Sequence, residues 1–194
     1  MMGKPKILAF AGSTRNLSYN KRILKYAVEG ARHAGAEVTV IDLKDFPLPL
    51  FDGDLEKEEG KPENAQKLFD LFLEHHGLLI ASPEYNSAIS GVLKNTIDWV
   101  SRPVPHMKPL AAFDNKVAAL MAASPGAMGG LRGLASLRLI LGNIKVIVLP
   151  DQVGVPKVAD IFDGDDDKIN DENKIHALHH LGKRLVEVVG KMVN

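Results

Sequence analysis

Residues 6–20 read Lys6-Ile7-Leu8-Ala9-Phe10-Ala11-Gly12-Ser13-Thr14-Arg15-Asn16-Leu17-Ser18-Tyr19-Asn20. The first six form a short, near-continuous apolar run, and Gly12-Ser13 stops it. An apolar run of that length without polar alternation predicts a strand covered on both faces, as in a parallel sheet. A helical stripe follows at Ile23, Leu24, Ala27, Val28 and Ala31 and ends at Gly35. The stretch therefore reads as strand, polar loop and helix, the opening unit of an alternating α/β chain.

The rest of the sequence repeats that alternation. Val38-Thr39-Val40-Ile41 is a β-branched second strand, and a Pro-rich loop separates it from a helix over 65–75 carried by Leu68, Phe69, Phe72 and Leu73. Strands are predicted over 77–82, 116–123 and 145–149, with helices over 92–101, 131–141 and 175–193. Five short buried strands separated by helices suit a doubly wound three-layer sandwich, either flavodoxin-like with strand order 2-1-3-4-5 or half of a Rossmann sheet. Both place a ligand beyond the carboxyl ends of the strands, so the loops after strands one, three and four are where chemistry is expected.

Composition narrows the function. The chain has 194 residues, expected to form one domain over 1–194, and its 45% hydrophobic content with zero net charge excludes a disordered segment. Apolar runs fall far short of the ~20 residues that span a bilayer, and Met1 to Lys6 leads into no signal-peptide pattern. Equal totals of 24 basic and 24 acidic side chains argue against nucleic acid as a partner. Cysteine is absent, which removes disulfides, thiolate metal sites and cysteine nucleophiles and points to a reducing cytoplasm. The neutrality is an average, because residues 1–35 carry seven Lys/Arg against one Glu while 36–65 carry nine acids against three Lys. Part of the basic excess, Arg15 with Lys21 and Arg22, flanks the first loop.

That loop, residues 12–20, is rich in hydroxyls and amides and opens a helix N-terminus. Free N–H groups and the positive dipole end favour an anion there, and Arg15 can add a charge-assisted fork. The glycine spacing of a dinucleotide fingerprint and the Gly-Lys-Ser/Thr of a P-loop are both missing, so a monophosphate fits better than a pyrophosphate or a triphosphate. The plainer alternative is that Ser18 simply caps the helix. The loop after strand three, Ser82-Pro83-Glu84-Tyr85-Asn86-Ser87, offers an aromatic face and polar groups suited to a flat heterocycle, or serves as a tight connection with a surface Tyr. After strand four, Ser124-Pro125-Gly126-Ala127-Met128-Gly129-Gly130 allows close backbone approach.

Taken in order, Gly12-Ser13-x-Arg15-x-x-Ser18-x-Asn20, then Pro83-Glu84-Tyr85-Asn86 running into Gly91-x-Leu93-Lys94-Asn95-x-Ile97-Asp98-Trp99, then Ser124-x-Gly126-x-x-Gly129-Gly130, resemble the NADPH-dependent FMN reductase family of flavodoxin-like proteins. That family includes chromate, quinone and azo reductases. The resemblance covers about residues 5–150 and implies a non-covalently held FMN, with NADPH or NADH as co-substrate. It implies that Ser13, Arg15, Ser18 and Asn20 grip the phosphate, with Tyr19 as a further cofactor-binding residue. Pro83, Glu84, Tyr85 and Asn86 would lie along the isoalloxazine, and Ser124 with Gly126 would line its other side. It further implies a homodimer or homotetramer with the flavin near the interface, a small-molecule electron acceptor, and hydride transfer through flavin N5 with no side-chain acid or base.

Competing readings are a flavodoxin-type electron carrier, disfavoured by neutrality because such carriers are acidic, and a flavin-free binding module. Asp163-Gly164-Asp165-Asp166-Asp167 lacks the ligand spacing of an EF-hand and reads as a solvated turn. His176, His179 and His180 share a helix face and read as surface or subunit contact rather than zinc ligands. Trp99 is expected in the core with its indole N–H satisfied locally, and Asp98 as structural.

Overall fold

The computed structural model describes residues 3–162 and 168–193. Strands β1 (Lys6–Ala11), β2 (Glu37–Asp42), β3 (Gly77–Ala81), β6 (Val117–Ala123) and β7 (Ile147–Val155) form a parallel sheet ordered β2-β1-β3-β6-β7. This is the 2-1-3-4-5 order of a flavodoxin-like sheet. The central strands β1, β3 and β6 are buried almost throughout, which is why they lack polar alternation.

Helices cover both faces. On one side α1 (Tyr19–His33) and α6 (Glu172–Met192) bury Ile23, Ala27 and Ala31 against Leu178, Leu181 and Leu185. On the other, α3 (Glu63–Glu74), α4 (Gly91–Val100) and α5 (Leu131–Asn143) bury Leu68, Phe72, Leu93, Ile97 and Leu137. Each buried Leu, Ile or Phe contributes about 1.5–3 kcal/mol relative to exposure, so these two layers hold the sheet that presents the loops.

Three elements differ from the sequence expectation. A short helix, α2 (Gly53–Glu59), interrupts the Pro-rich loop; it buries no residue, and Asp52 caps it by accepting from the Asp54 and Leu55 N–H groups. The connection after β3 contains a two-strand hairpin, β4 (Glu84–Tyr85) and β5 (Ala88–Ile89). Finally, β7 continues past Pro150. The pairing jumps from Ala118 opposite Val148 to Leu120 opposite Gln152, an irregularity that accommodates a proline on an edge strand. The Asp163–Asp167 cluster lies outside the described residues.

Candidate functional site

The loops after β1, β3 and β6 meet at one end of the sheet and enclose a cavity of about 240 Å³. Ser13, Arg15, Ser18, Tyr19, Asn20, Pro83, Glu84, Tyr85 and Ser124 line it, together with Ala123 and Pro125, which the sequence reading did not single out. Asn86 and Gly126 are close in sequence to the lining but do not belong to it. A larger groove of about 550 Å³ lies between α1 and β2, but none of the three strand-end loops reaches it. Its rim carries a Lys21–Asp42 ion pair at 2.5 Å.

The first loop is held by backbone. Gly12 N–H donates to Ala81 O at 2.9 Å, and the Ser90 hydroxyl donates to Gly12 O at 2.6 Å while accepting from Leu93 N–H at 3.3 Å. Ser90 thus caps α4 and ties it to the end of β1. Gly12 is required there, because a Cβ would stand 2.9 Å from the Leu93 side chain. Ser13 Oγ accepts from Arg15 N–H at 3.3 Å. Ser18 occupies the N-cap of α1, yet its hydroxyl makes no capping bond. The plain capping alternative therefore fails, and a buried hydroxyl lines the cavity at the N-terminus of α1, whose first-turn N–H groups have no partner within the helix. Arg15 is exposed and its guanidinium has no ion pair among the described residues.

Asn20 has a different task from its neighbours. Its Nδ2 donates to Ala123 O at 3.1 Å and its Oδ1 accepts from Ala123 N–H at 3.0 Å, all buried. This two-way clamp pins the start of α1 to the end of β6 and so fixes the first loop against the third. Tyr19 stacks on Phe162 with ring centroids 5.8 Å apart.

In the hairpin, Asn86 and Ser87 have φ of 51° and 66°. Positive φ at both central residues is what a two-residue type I′ turn needs, and Asn tolerates it best among non-glycine residues. Asn86 is therefore at the hairpin tip for its backbone. Tyr85, 52% exposed, stands at the cavity mouth. The Glu84 side chain turns away toward α5: Oε2 accepts from Gly133 N–H at 2.9 Å and Oε1 accepts from Arg132 Nε at 3.0 Å. The Gly133 N–H, followed by the Arg132 guanidinium, holds the Glu84 carboxyl below the ordinary glutamate range. In the third loop Ser124 Oγ accepts from Gly126 N–H at 3.1 Å, and Gly126 O accepts from Lys157 N–H at 3.2 Å.

Trp99 is fully buried and its Nε1–H donates to Pro49 O at 2.8 Å, as expected of a core indole. Asn95 joins it, donating to the same carbonyl at 2.8 Å and accepting from Phe51 N–H at 2.8 Å. Asp98 pairs with Lys94 on the helix surface. The Asn95-x-x-x-Trp99 portion of the motif thus anchors residues 49–51 rather than reaching the cavity. Among the described residues, no helix is long and apolar enough to cross a membrane.

Comparisons with known proteins agree with this architecture. Over 187 residues the chain is 33% identical to an NAD(P)H-dependent FMN reductase of Pseudomonas aeruginosa, covering 93% of this chain and 96% of that one. It is 33% identical over 152 residues to a quinone reductase of Escherichia coli, covering 77% and 76% respectively. Among solved structures, the flavoenzyme NAD(P)H:(acceptor) oxidoreductase of Paracoccus denitrificans superposes with a TM-score of 0.80 at 24% identity, covering 96% of this chain and 98% of that one, a likeness of fold. Residues 5–160 match the NADPH-dependent FMN reductase family, and the chain belongs to that family of oxidoreductases, whose cofactor chemistry joins FMN to a nicotinamide nucleotide.

Proposed function

We propose that this chain is an FMN-dependent NAD(P)H oxidoreductase acting on quinones and other small acceptors, azo compounds, chromate and free flavin included. The observation that carries the reading is the uncapped N-terminus of α1. A buried Ser18 hydroxyl and the Arg15 guanidinium, which has no ion pair among the described residues, stand beside the first-turn N–H groups of α1 at a cavity where all three strand-end loops meet. Hydroxyl, guanidinium and backbone N–H donors are the set a phosphate monoester requires.

The residues present fit FMN. Ser13, Arg15 and Ser18 would hold its phosphate, with Asn20 as the residue that positions their loop. A cavity of 240 Å³ is smaller than the ~300–1,000 Å³ that enclose a drug-sized ligand, so it would take the phosphate end, with Pro83 and Tyr85 at the mouth to hold the ring. When bound, the flavin supplies the electronic chemistry of hydride transfer at N5. The chain's own part is to bind and orient. Backbone amides of the hairpin would lie near the ring edge and offer preorganised stabilisation of negative charge. Donor and acceptor would share the one open face of the ring in turn, so the kinetics are expected to be ping-pong. A ring left this open also favours a homodimer or homotetramer in which a second copy covers it, within a cytoplasmic single-domain protein.

Purified protein should be yellow and should oxidise NADPH or NADH at a useful rate only when a quinone or another such acceptor is present. Parallel double-reciprocal lines against a quinone series would support alternation. Colourless protein that neither retains FMN nor oxidises either nucleotide would overturn the reading.

A further inference from the structure

Four histidines, His33, His176, His179 and His180, line a separate pocket of about 370 Å³ where α1 crosses α6. The crossing is close because each helix presents a glycine to the other. A Cβ on Gly30 would lie 2.2 Å from His179 O, and one on Gly182 would lie 1.9 Å from Ala27 O. That approach brings α1 side chains up to the three histidines that share a face of α6. His179 Nε2 stands 3.3 Å from Glu29 Oε2, and its ring lies edge-on to His33 with centroids 6.4 Å apart. A carboxylate on one ring nitrogen fixes the tautomer and leaves the other nitrogen's lone pair free, the usual support of a metal-binding imidazole. One turn apart on the exposed face, His176 and His180 hold their rings nearly parallel, 18° apart in plane and 6.4 Å between centroids.

The geometry points to a divalent-metal site of the Zn²⁺ class in this pocket, gripped by His176 and His180, with His33 and the Glu29-oriented His179 as the further imidazoles within reach. Two histidines at i, i+4 on one helix face are a chelating pair. An imidazole-rich set with a single outer carboxylate suits zinc, copper or nickel and not the oxygen-seeking magnesium or calcium. Among the described residues no three such donors already converge on one point. Binding therefore draws the rings together. With Zn–N bonds of about 2 Å at a near-tetrahedral angle, two ring centroids sharing an ion stand about 5 Å apart. From 6.4 Å, the pair would reach that spacing by side-chain rotation on a solvent-facing helix surface. Lys183 also lines the pocket, but its Nζ faces Glu187 at 3.9 Å, one turn further on, which draws the positive charge away. Binding to the folded chain would raise the melting temperature by mass action, and if His33 of α1 joins the two α6 imidazoles the ion would also tie the helices together.

Calorimetric titration of untagged, chelator-treated protein with ZnCl₂ tests this, with MgCl₂ as the control ion. One Zn²⁺ per chain is expected, with a higher melting temperature and no response to Mg²⁺. His176→Ala and His180→Ala should each weaken Zn²⁺ binding at least about ten-fold, and Glu29→Gln should weaken it less. His106→Asn is the control variant, since asparagine tolerates the φ of 68° at that exposed position, and it should leave binding unchanged. No saturable Zn²⁺ binding, equal loss in the His106 variant, or one ion per two chains would each overturn the single-chain site. The readout is independent of flavin and of turnover, so its failure leaves the oxidoreductase reading untouched.

Discussion

The carboxylate of Glu84 caps a helix that begins 47 residues later in the chain, accepting the Gly133 N–H of α5 at 2.9 Å. The helix cannot cap itself. Its N-cap residue, Gly130, sits at φ 81° with the position of a Cβ only 2.6 Å from that of Ala122, so no serine or aspartate fits there. Gly133 lacks a side chain in turn, and a Cβ on it would stand 3.1 Å from Glu84 Cβ. Glu84 therefore fastens the β4–β5 hairpin, with Tyr85 at the cavity mouth, to the start of α5.

Glu84→Ala should lower stability by about 1–2 kcal/mol through loss of the cap and the Arg132 pair. Glu84→Gln, which keeps one acceptor for Gly133, should lose less. The pH dependence has a fixed sign. The Glu84 carboxyl titrates below its ordinary value in the folded chain, so its contribution is whole above the unfolded pKa near 4.5 and fades as pH falls through the folded value. The stability gap between wild type and Glu84→Gln, read by urea unfolding, should be constant from pH 8 to 5 and narrow on further acidification. A gap that widens in acid would refute the assignment.

A parallel sheet with helices on both faces was legible in the sequence because continuous apolar runs such as Ile7–Ala11 and Leu78–Ala81 are tolerated only where both faces are covered. The runs alone left two strand orders open, between which the family resemblance decided, and the three site loops followed from either order. What escaped had no periodicity to read. Strands of two residues, Glu84–Tyr85 and Ala88–Ile89, are too short to alternate, and α2 buries nothing, leaving only the Asp52 cap as a signal. Proline at 150 reads as a strand end, and only the edge position of β7 lets the strand continue. Asn20 and Glu84 read as cofactor-binding residues in the sequence and both line the cavity, but their amide and carboxylate act on Ala123, Arg132 and Gly133, partners set by tertiary packing.

Asn20→Ala should leave both backbone groups of Ala123 buried without their partner, at about 1–3 kcal/mol for each unsatisfied group before relaxation. Asn20→Asp should do no better, since a carboxylate can accept from Ala123 N–H but meets the Ala123 carbonyl oxygen with a second lone pair. Thermal melts should show both variants clearly below wild type, and FMN retention should fall with them because the first loop loses its anchor. Retention equal to wild type in either variant would show that the clamp does not position the loop.

Arg15→Ala should separate binding from folding. The guanidinium is exposed and unpaired among the described residues, so its loss should leave the melting temperature of the flavin-free protein within about 1 °C of wild type, as surface changes of under 0.5 kcal/mol do. A charge-assisted hydrogen bond contributes about 1.5–3 kcal/mol, so FMN affinity should fall about 10- to 150-fold. Ser18→Ala should cost less, about ten-fold, because its hydroxyl is a neutral donor. Fluorescence titration of the stripped protein with FMN measures both, and an unchanged dissociation constant in Arg15→Ala would remove the phosphate from this loop.

Asn95 and Trp99 converge on one acceptor, the Pro49 carbonyl, each at 2.8 Å. Replacing Trp99 by Phe keeps most of the ring volume and leaves that carbonyl bonded to Asn95, so the cost should be about 1–2 kcal/mol. Asn95→Ala also frees the Phe51 N–H but leaves Pro49 bonded to the indole. Only the double variant deprives Pro49 of both donors. Its loss should therefore exceed the sum of the single losses by about 0.5 kcal/mol or more, a coupling that a double-mutant cycle in urea reads directly. Strict additivity would mean that water replaces each donor as well as the side chains do, and that residues 49–51 are held against α4 by ring packing, with Phe51 edge-on to Trp99 at 5.0 Å between centroids and under the Arg102 guanidinium, rather than by these hydrogen bonds.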